Sequence, residues 1–590
     1  MALPELLAGV PAPGLVLGAL AALLLAVRIA TVLLSRRPAP RITVSLTEAE
    51  ANDVIDAPVH EVMALQDPSR PGMLQCFDPS TMQRLGEVPD MTPEDVDAAI
   101  ARARAAQPAW AKTSFAERRR VLRTMLDWVS THQKELCRVA SRDSGKTKVD
   151  AIFGEVLTTC EKLRCVIANG EQWLAPEYRP AGPLMMHKNA YVEYRPLGVI
   201  ATIAPFNYVV HNFWNHVISG LFAGNAVVVK VSEWTSWSAD FNLRAVRAAL
   251  AATGHDPELV QLVTGLVASG KALVDGDVDK VVFTGSPEVG RHVMAGASKH
   301  LTPVILELGG KDPFIVCEDA SPAAVMPMAM RGVFQNAGQN CCGVERVYAY
   351  ASVYDEFVDL AERNVRALVQ GNPLGAQRVD VGAMIMPRQL EIIQELVDDA
   401  VAKGARLLVG GKRNAALAPG IFYEPTLLVD VDHTMRIANE EVFGPVMTVV
   451  RVPGDSDEEC LRMVNSTAYG LGSAVFSNND ARATRLAERI RCGMSTVNDF
   501  GVNYLVQALP FGGVKASGFD RFGGPEGLRG LCLQKSVVVD KSSFMRTTIP
   551  APLQYPITSK GGDFAEAMVG LFYSPDLSGR ARSLWTLATA

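Results

Sequence analysis

The chain reads as one long apolar run followed by blocks of two hydrophobic periods. The run extends from Gly14 to Leu34, where only Arg28 is charged. About 21 residues at about 1.5 Å each span roughly 30 Å, the thickness of a hydrocarbon core. This predicts a transmembrane helix over 14–34 after a short tail over 1–13, with a buried core helix as the alternative. Arg28 lies near one end and can snorkel. Only Glu5 is charged before the run, whereas a secretory signal peptide wants a basic start. Arg36, Arg37 and Arg41 flank its far side. The positive-inside bias then places the rest of the chain in the cytosol, on the endoplasmic reticulum or another endomembrane. Residues 35–74 are rich in Pro, Asp and Glu with weak periodicity, and read as a linker.

Helical periods come next. Thr92 caps a segment with Pro93 at its first position, and Ser114 with Glu117 forms a capping box. Short apolar runs then alternate with helix-length segments: GVIATIAPF, NAVVVKVS, LVQLVTG, KVVFTGS and TPVILELGG, each bounded by Gly, Pro, Asn or Ser. That alternation predicts a doubly wound parallel sheet. A second alternating region runs from about Lys311 to Pro510. Near the end, Phe564, Met568, Leu571 and Phe572 recur at helical spacing, which suits core packing or a membrane-surface helix.

Composition narrows the class. At 590 residues the chain needs at least two packed units. A hydrophobic share of 48% with 20% charged residues is globular, and a net charge of -6 gives no reason to expect nucleic acid. Ten scattered cysteines without a CxxC pair suggest a reducing compartment rather than a disulfide framework. The nine histidines show no ligand spacing, so no metal site is expected.

The candidate chemistry sits at strand ends. In VVFTGSPEVG, Gly285 turns the chain and Ser286 caps a helix whose N-terminus could hold a pyrophosphate. Lys230 and Glu233 follow a strand and could grip ribose hydroxyls, or be a solvated loop pair. Asn207 in APFNY could donate to an oxyanion, or simply form a turn. Glu307 in LELGGK ends an apolar strand, where burial would raise its pKa toward that of a base working near neutral pH. Cys341 and Cys342 stand side by side in FQNAGQNCCG, and either could be a nucleophile or a small apolar filler.

APFNY, FTGSPEVG, LELGGK, FQNAGQNC, EVFGPV and PFGGVKASG occur in that order, and the set resembles the aldehyde dehydrogenase superfamily over about Cys76 to Lys541. The N-terminal run, GQNCCGVERV and IPAPLQYPI resemble the membrane-anchored eukaryotic branch that includes plant aldehyde dehydrogenase family 22. The resemblance implies Cys341 as nucleophile, with Cys342 a structural neighbour. It implies Asn207 and the Cys341 backbone N–H as oxyanion donors and Glu307 as general base. Lys230, Glu233, Gly285 and Ser286 map onto dinucleotide contacts, and Glu441 and Phe443 onto nicotinamide ribose and ring contacts. NAD is the implied cofactor, without metal, and a small-molecule aldehyde the substrate. The family often has Trp where Phe206 stands here.

The expected architecture is α/β. A Rossmann-like cofactor domain covers 75–184 and 197–308, and an α/β catalytic domain covers 309–524. A small bridging β-sheet takes 185–196 and 525–541, and a C-terminal extension covers 542–590. The family uses the bridging sheet to oligomerise, so a homodimer or tetramer is expected, with membrane lipid met through the N-terminal helix. Two other readings are a CoA-acylating enzyme and a catalytically silent membrane scaffold.

Overall fold

A computed structural model describes residues 39–589. The expected helix over 14–34 lies outside the described residues. Among the described residues no helix is long and apolar enough to cross a membrane.

The segment read as a linker is packed over its described part. A short helix, Glu48–Ala51, carries a Thr47–Glu50 capping box. Arg244 pairs with Glu50, and Arg142 donates to the carbonyls of Asn52 and Asp53. The polar residues that look like a tether in sequence are thus bonded to arginines of the next domain. Both expected caps form: Thr92 opens the helix Pro93–Ala111 and Ser114 opens Phe115–Thr131.

The first large sheet has the strand order Gly518–Phe519, Val304–Glu307, Lys280–Thr284, Val199–Ile203, Ala226–Lys230, Val260–Val263. The last five are parallel, and only Gly518–Phe519 runs antiparallel, against Val304–Glu307. Ala226, Val227, Val228 and Val229 have no exposed surface, as a parallel sheet covered on both faces requires. The chain moves outward from Val199–Ile203 through two strands, then returns to its other side with Lys280–Thr284. That reversal opens a crevice at the carboxyl ends of these two strands, the usual place for a ligand in such sheets.

The second sheet has the order Arg406–Val409, Thr426–Val429, Val446–Val452, Arg346–Tyr350, Pro313–Val316, Ala474–Phe476, Thr496–Val497, parallel except for its first strand. Each large sheet centres its own hydrophobic core. The chain crosses between them over 308–312, from the carboxyl end of one sheet to the amino end of the other. Gly309 makes the crossing at φ +74°, and a Cβ there would stand 2.4 Å from a Glu441 carboxylate oxygen. Only glycine fits.

Lys188–Pro196 pairs with Cys532–Asp540 on one side and Glu177–Arg179 on the other. This small antiparallel sheet therefore takes in residues that the sequence reading gave to the cofactor domain. Gly518–Phe519, read as catalytic domain, likewise completes the cofactor sheet. Past the small sheet, helices Gly561–Tyr573 and Leu577–Thr589 pack on each other. Phe564, Met568, Leu571 and Phe572 are half-buried there, while Tyr573, Leu577 and Trp585 are exposed.

Candidate active site

The cysteine loop is held in an unusual backbone shape. After the helix Pro322–Phe334, residues Asn336, Ala337 and Gly338 take φ of 53°, 54° and 72°. Left-handed backbone is costly for alanine, so surrounding contacts must fix it. The Gln339 side chain supplies several of them. Its Oε1 accepts from the Ile385 N–H at 3.0 Å, and its Nε2 donates to the Asn336 carbonyl at 3.0 Å. A Cβ on Gly338 would lie 2.0 Å from the Gly444 carbonyl oxygen, so this loop abuts the one carrying Phe443.

Cys341 emerges half-buried from the loop. The adjoining Cys342 thiol, burial and the Glu307 carboxyl all push its pKa up. Cys342 packs against Leu471, Met494 and Phe511, and its thiol donates to Asn340 Oδ1 at 3.5 Å.

Glu307 closes its strand between Thr284 and Gly518 and is only 1% exposed. Both carboxyl oxygens lack a hydrogen-bond partner of good geometry. Burial raises its pKa to about 7, although the Cys341 thiol and the Gly309 N–H lie near enough to hold it down somewhat. A buried carboxyl left unsatisfied by the fold, beside a thiol, is available to a water or a proton.

Asn207 is anchored from three sides. Its carbonyl accepts from Lys146 Nζ at 2.7 Å and from Asn336 Nδ2 at 2.9 Å. Its Oδ1 accepts from Asn212 Nδ2 at 3.1 Å, and its Nδ2 donates to the Gln339 carbonyl at 3.0 Å. Lys146 is itself ion-paired with Glu155, and neither side chain is exposed. Glu155 accepts in turn from the N–H groups of Val210 and His211, at the start of the helix His211–Ala223. Glu155 comes from a wide π turn, Ile152–Leu157, that also brings Phe153 and Gly154 to the cavity wall. A Cβ on Gly154 would strike the Tyr208 ring at 2.2 Å.

Four of the residues assigned to a dinucleotide lie at or just past the carboxyl ends of the parallel strands Ala226–Lys230 and Lys280–Thr284. Lys230 is buried, its pKa lowered by that burial, and its Nζ donates to the Val231 carbonyl at 3.0 Å. An ammonium has three donors, so donors remain for ribose hydroxyls. Glu233 opens the next turn, and Ser286 caps the helix Pro287–Ala297. The Gly285 N–H donates to the Glu307 carbonyl at 3.0 Å, which ties this loop to the end of the Val304–Glu307 strand. Across the site, Glu441 accepts from the Gly310 N–H at 3.1 Å. Burial and the nearby Glu345 push its pKa well up. Phe443 sits at φ +50°, with Phe206 edge-on to its ring at 5.7 Å. The phenylalanine found where the family often has Trp thus packs on Phe443. This donor set suits a nicotinamide dinucleotide.

Sequence reasoning missed the supports of these groups. Lys311 donates to Glu345 at 2.6 Å, and Glu345 accepts from the N–H groups of Val442 and Phe443, each at 3.1 Å. A lone Lys in LGGKD and a lone Glu in GVERV carry no periodic signal that would pair them.

Cys341, Cys342, Glu307 and Asn207 open onto one cavity of about 370 Å³. That is large enough for a small organic molecule. Its walls include Phe153, Tyr208, Phe500, Tyr504 and Phe511, with Arg331 also at the wall. Arg331 is tied to buried Asp150 at 2.9 Å.

The family model for the aldehyde dehydrogenase family matches residues 66–537. An aldehyde dehydrogenase-like protein of Schizosaccharomyces pombe is 42% identical over 510 residues, covering 86% of this chain and 97% of its own. Betaine aldehyde dehydrogenase of Cereibacter sphaeroides is 33% identical, covering 78% and 92%. The structure of a Mycobacterium tuberculosis aldehyde dehydrogenase complexed with NAD+ superposes with a TM-score of 0.75 at 30% identity, covering 82% and 97%. The chain belongs to the aldehyde dehydrogenase family and is an NAD(P)-dependent aldehyde oxidoreductase.

Proposed function

We propose that the enzyme oxidises an aldehyde to the free acid through a thioester on Cys341, and that Glu307 hydrolyses this thioester with water. The carrying observation is the buried, unpartnered Glu307 carboxyl beside the Cys341 thiol in one cavity. The thiolate adds to the carbonyl carbon and forms a thiohemiacetal. Asn207 Nδ2 and the Cys341 backbone N–H donate to its oxyanion. NAD(P), held by Lys230, Glu233, Ser286 and Glu441, would supply the acceptor for the hydride that the adduct loses on becoming the thioester. Glu307 then takes a proton from water as its oxygen attacks the acyl carbon, and the acid leaves with the thiol restored.

NAD is the preferred dinucleotide in this reading, because a Glu233 carboxylate would repel a 2′-phosphate. The bridging sheet joins subunits into a dimer or tetramer; exposed Tyr178, Leu533 and Val538 support this. Residues 14–34 tether the enzyme to a membrane with its catalytic domain in the cytosol. The apolar run and its flanking arginines support that part, together with exposed Phe544, Tyr555 and Trp585 in the C-terminal extension.

An aldehyde panel scored for reduced cofactor and for free acid, with and without CoA, tests the central reading. Acid formation that needs no CoA is expected. Acyl-CoA as the sole product would overturn hydrolysis, and no oxidation of any aldehyde would overturn the whole reading.

A further inference from the structure

Six phenylalanine and tyrosine rings share the cavity wall with several polar side chains, and two of these, adjacent in sequence, are not taken up by hydrogen bonds of the fold. Asn215 and His216 are successive residues of the helix His211–Ala223, and both line the cavity. They are 3% and 6% exposed. The Asn215 Oδ1 has no hydrogen-bond partner. The His216 ring meets the Phe522 ring edge-on at 5.4 Å. Burial, and to a lesser extent the Lys162 ammonium, hold His216 neutral, with a pKa of about 3.

Other amides in the same wall have work to do. Asn212 donates to Asn207, and Gln335 donates to the Tyr208 hydroxyl at 3.3 Å. Leaving a buried carboxamide oxygen unpaired costs about 1–3 kcal/mol, so a purely apolar cargo would be better served by leucine here.

We infer that Asn215 and His216 form a neutral recognition point for a hydroxyl group carried by the aldehyde substrate. A hydroxyl both donates and accepts, so it completes the amide and the neutral imidazole whichever way each is turned. A carboxylate offers no donor to an amide oxygen, and a plain alkyl chain offers neither function. This substrate class rests on the proposed aldehyde oxidation at Cys341.

The test is a set of matched pairs oxidised by the full chain with NAD: hexanal against 3-hydroxyhexanal, and octanal against 8-hydroxyoctanal. Neither hydroxyaldehyde closes to a five- or six-membered lactol, so the free carbonyl is presented. In at least one pair the hydroxy compound should have a kcat/KM about tenfold or more above its parent, since sites built to bond a hydroxyl discriminate strongly against analogues lacking it. Asn215→Leu should bring that ratio to about one. Asn215→Thr, which keeps a hydroxyl at the wall, should retain part of it and serves if the leucine variant does not fold. Parents preferred in every pair, or an unchanged ratio in folded Asn215→Leu, would overturn the inference. Oxidation without preference sinks this inference alone, whereas no oxidation of any member sinks it together with the proposed function.

Discussion

The side-chain nitrogen of Asn207 donates to the backbone carbonyl of Gln339 at 3.0 Å, two residues before Cys341. Asn207, the proposed oxyanion donor, is therefore stitched directly to the loop of the proposed nucleophile. In this state the donor is engaged by a backbone oxygen, which a developing oxyanion must replace or share. Asn336 Nδ2 also donates to that carbonyl, at 3.1 Å, so the loop keeps a tie without Asn207. Asn207→Ala should thus cost only about 1 kcal/mol in stability. It should still lower kcat by about a hundredfold or more, as loss of an oxyanion donor does. Steady-state kinetics beside a denaturation curve separates the two effects.

The raised pKa of Glu307 links activity to pH. In the proposed mechanism its base form drives thioester hydrolysis, so kcat should rise as pH passes through about 7. Stability should move the opposite way. The folded carboxyl holds its proton up to about 7, whereas the unfolded one loses it near 4.5. Between those values the folded state binds more protons, so rising pH removes stability, by roughly 3 kcal/mol once fully ionised. Glu307→Gln should therefore be the more stable protein at pH 8 and lose that advantage near pH 4, read as the difference in Tm between the two proteins.

The buried Lys146–Glu155 pair holds the Asn207 loop through the lysine's bond to the Asn207 carbonyl. Lys146→Met strands a buried carboxylate and should cost about 3–5 kcal/mol. Adding Glu155→Leu should recover part of this by removing the stranded charge, without recovering kcat, because the Asn207 carbonyl still lacks its bond from the lysine. Denaturation midpoints of the two singles and the double check the coupling.

Candidate chemistry was easier to nominate from the sequence than its scaffolding. Cys341, Glu307 and Asn207 sit in short local patterns at strand ends, so each could be nominated from its neighbours. Lys146 and Glu155 look like ordinary helix-surface charges, and only the fold turns both inward. The wide turn at Ile152–Leu157 has no periodic signature beyond Gly154, a glycine in a helical stretch. Alternating periods announced the two parallel sheets. They could not announce that Gly518–Phe519 would return to pair with Val304–Glu307, because a two-residue strand has no period. Asn215 was invisible for a similar reason: nothing in HNFWNHV says which polar residue will face a cavity.

Cofactor choice turns on Glu233, which follows the strand ending in Lys230. Repulsion of a 2′-phosphate should give NAD the higher kcat/KM, by about tenfold at the modest electrostatic cost of about 1.4 kcal/mol. Glu233→Ser should narrow the gap. A wild-type preference for NADP would refute the role given to Glu233.

The division of labour between Cys341 and Glu307 is tested most directly by intact mass and peptide mapping of Glu307→Gln after mixing with aldehyde and NAD. One acyl group on Cys341, with up to one equivalent of reduced cofactor and slow turnover, is the predicted result. Higher pH should enlarge that burst if Glu307 also helps ionise the thiol, because a free thiol ionises near 8.5. The controls fit the same scheme: Cys341→Ser should form no adduct, and Cys342→Ser should still form one. Acylation of Cys342 instead, or normal turnover by Cys341→Ser, would contradict the account.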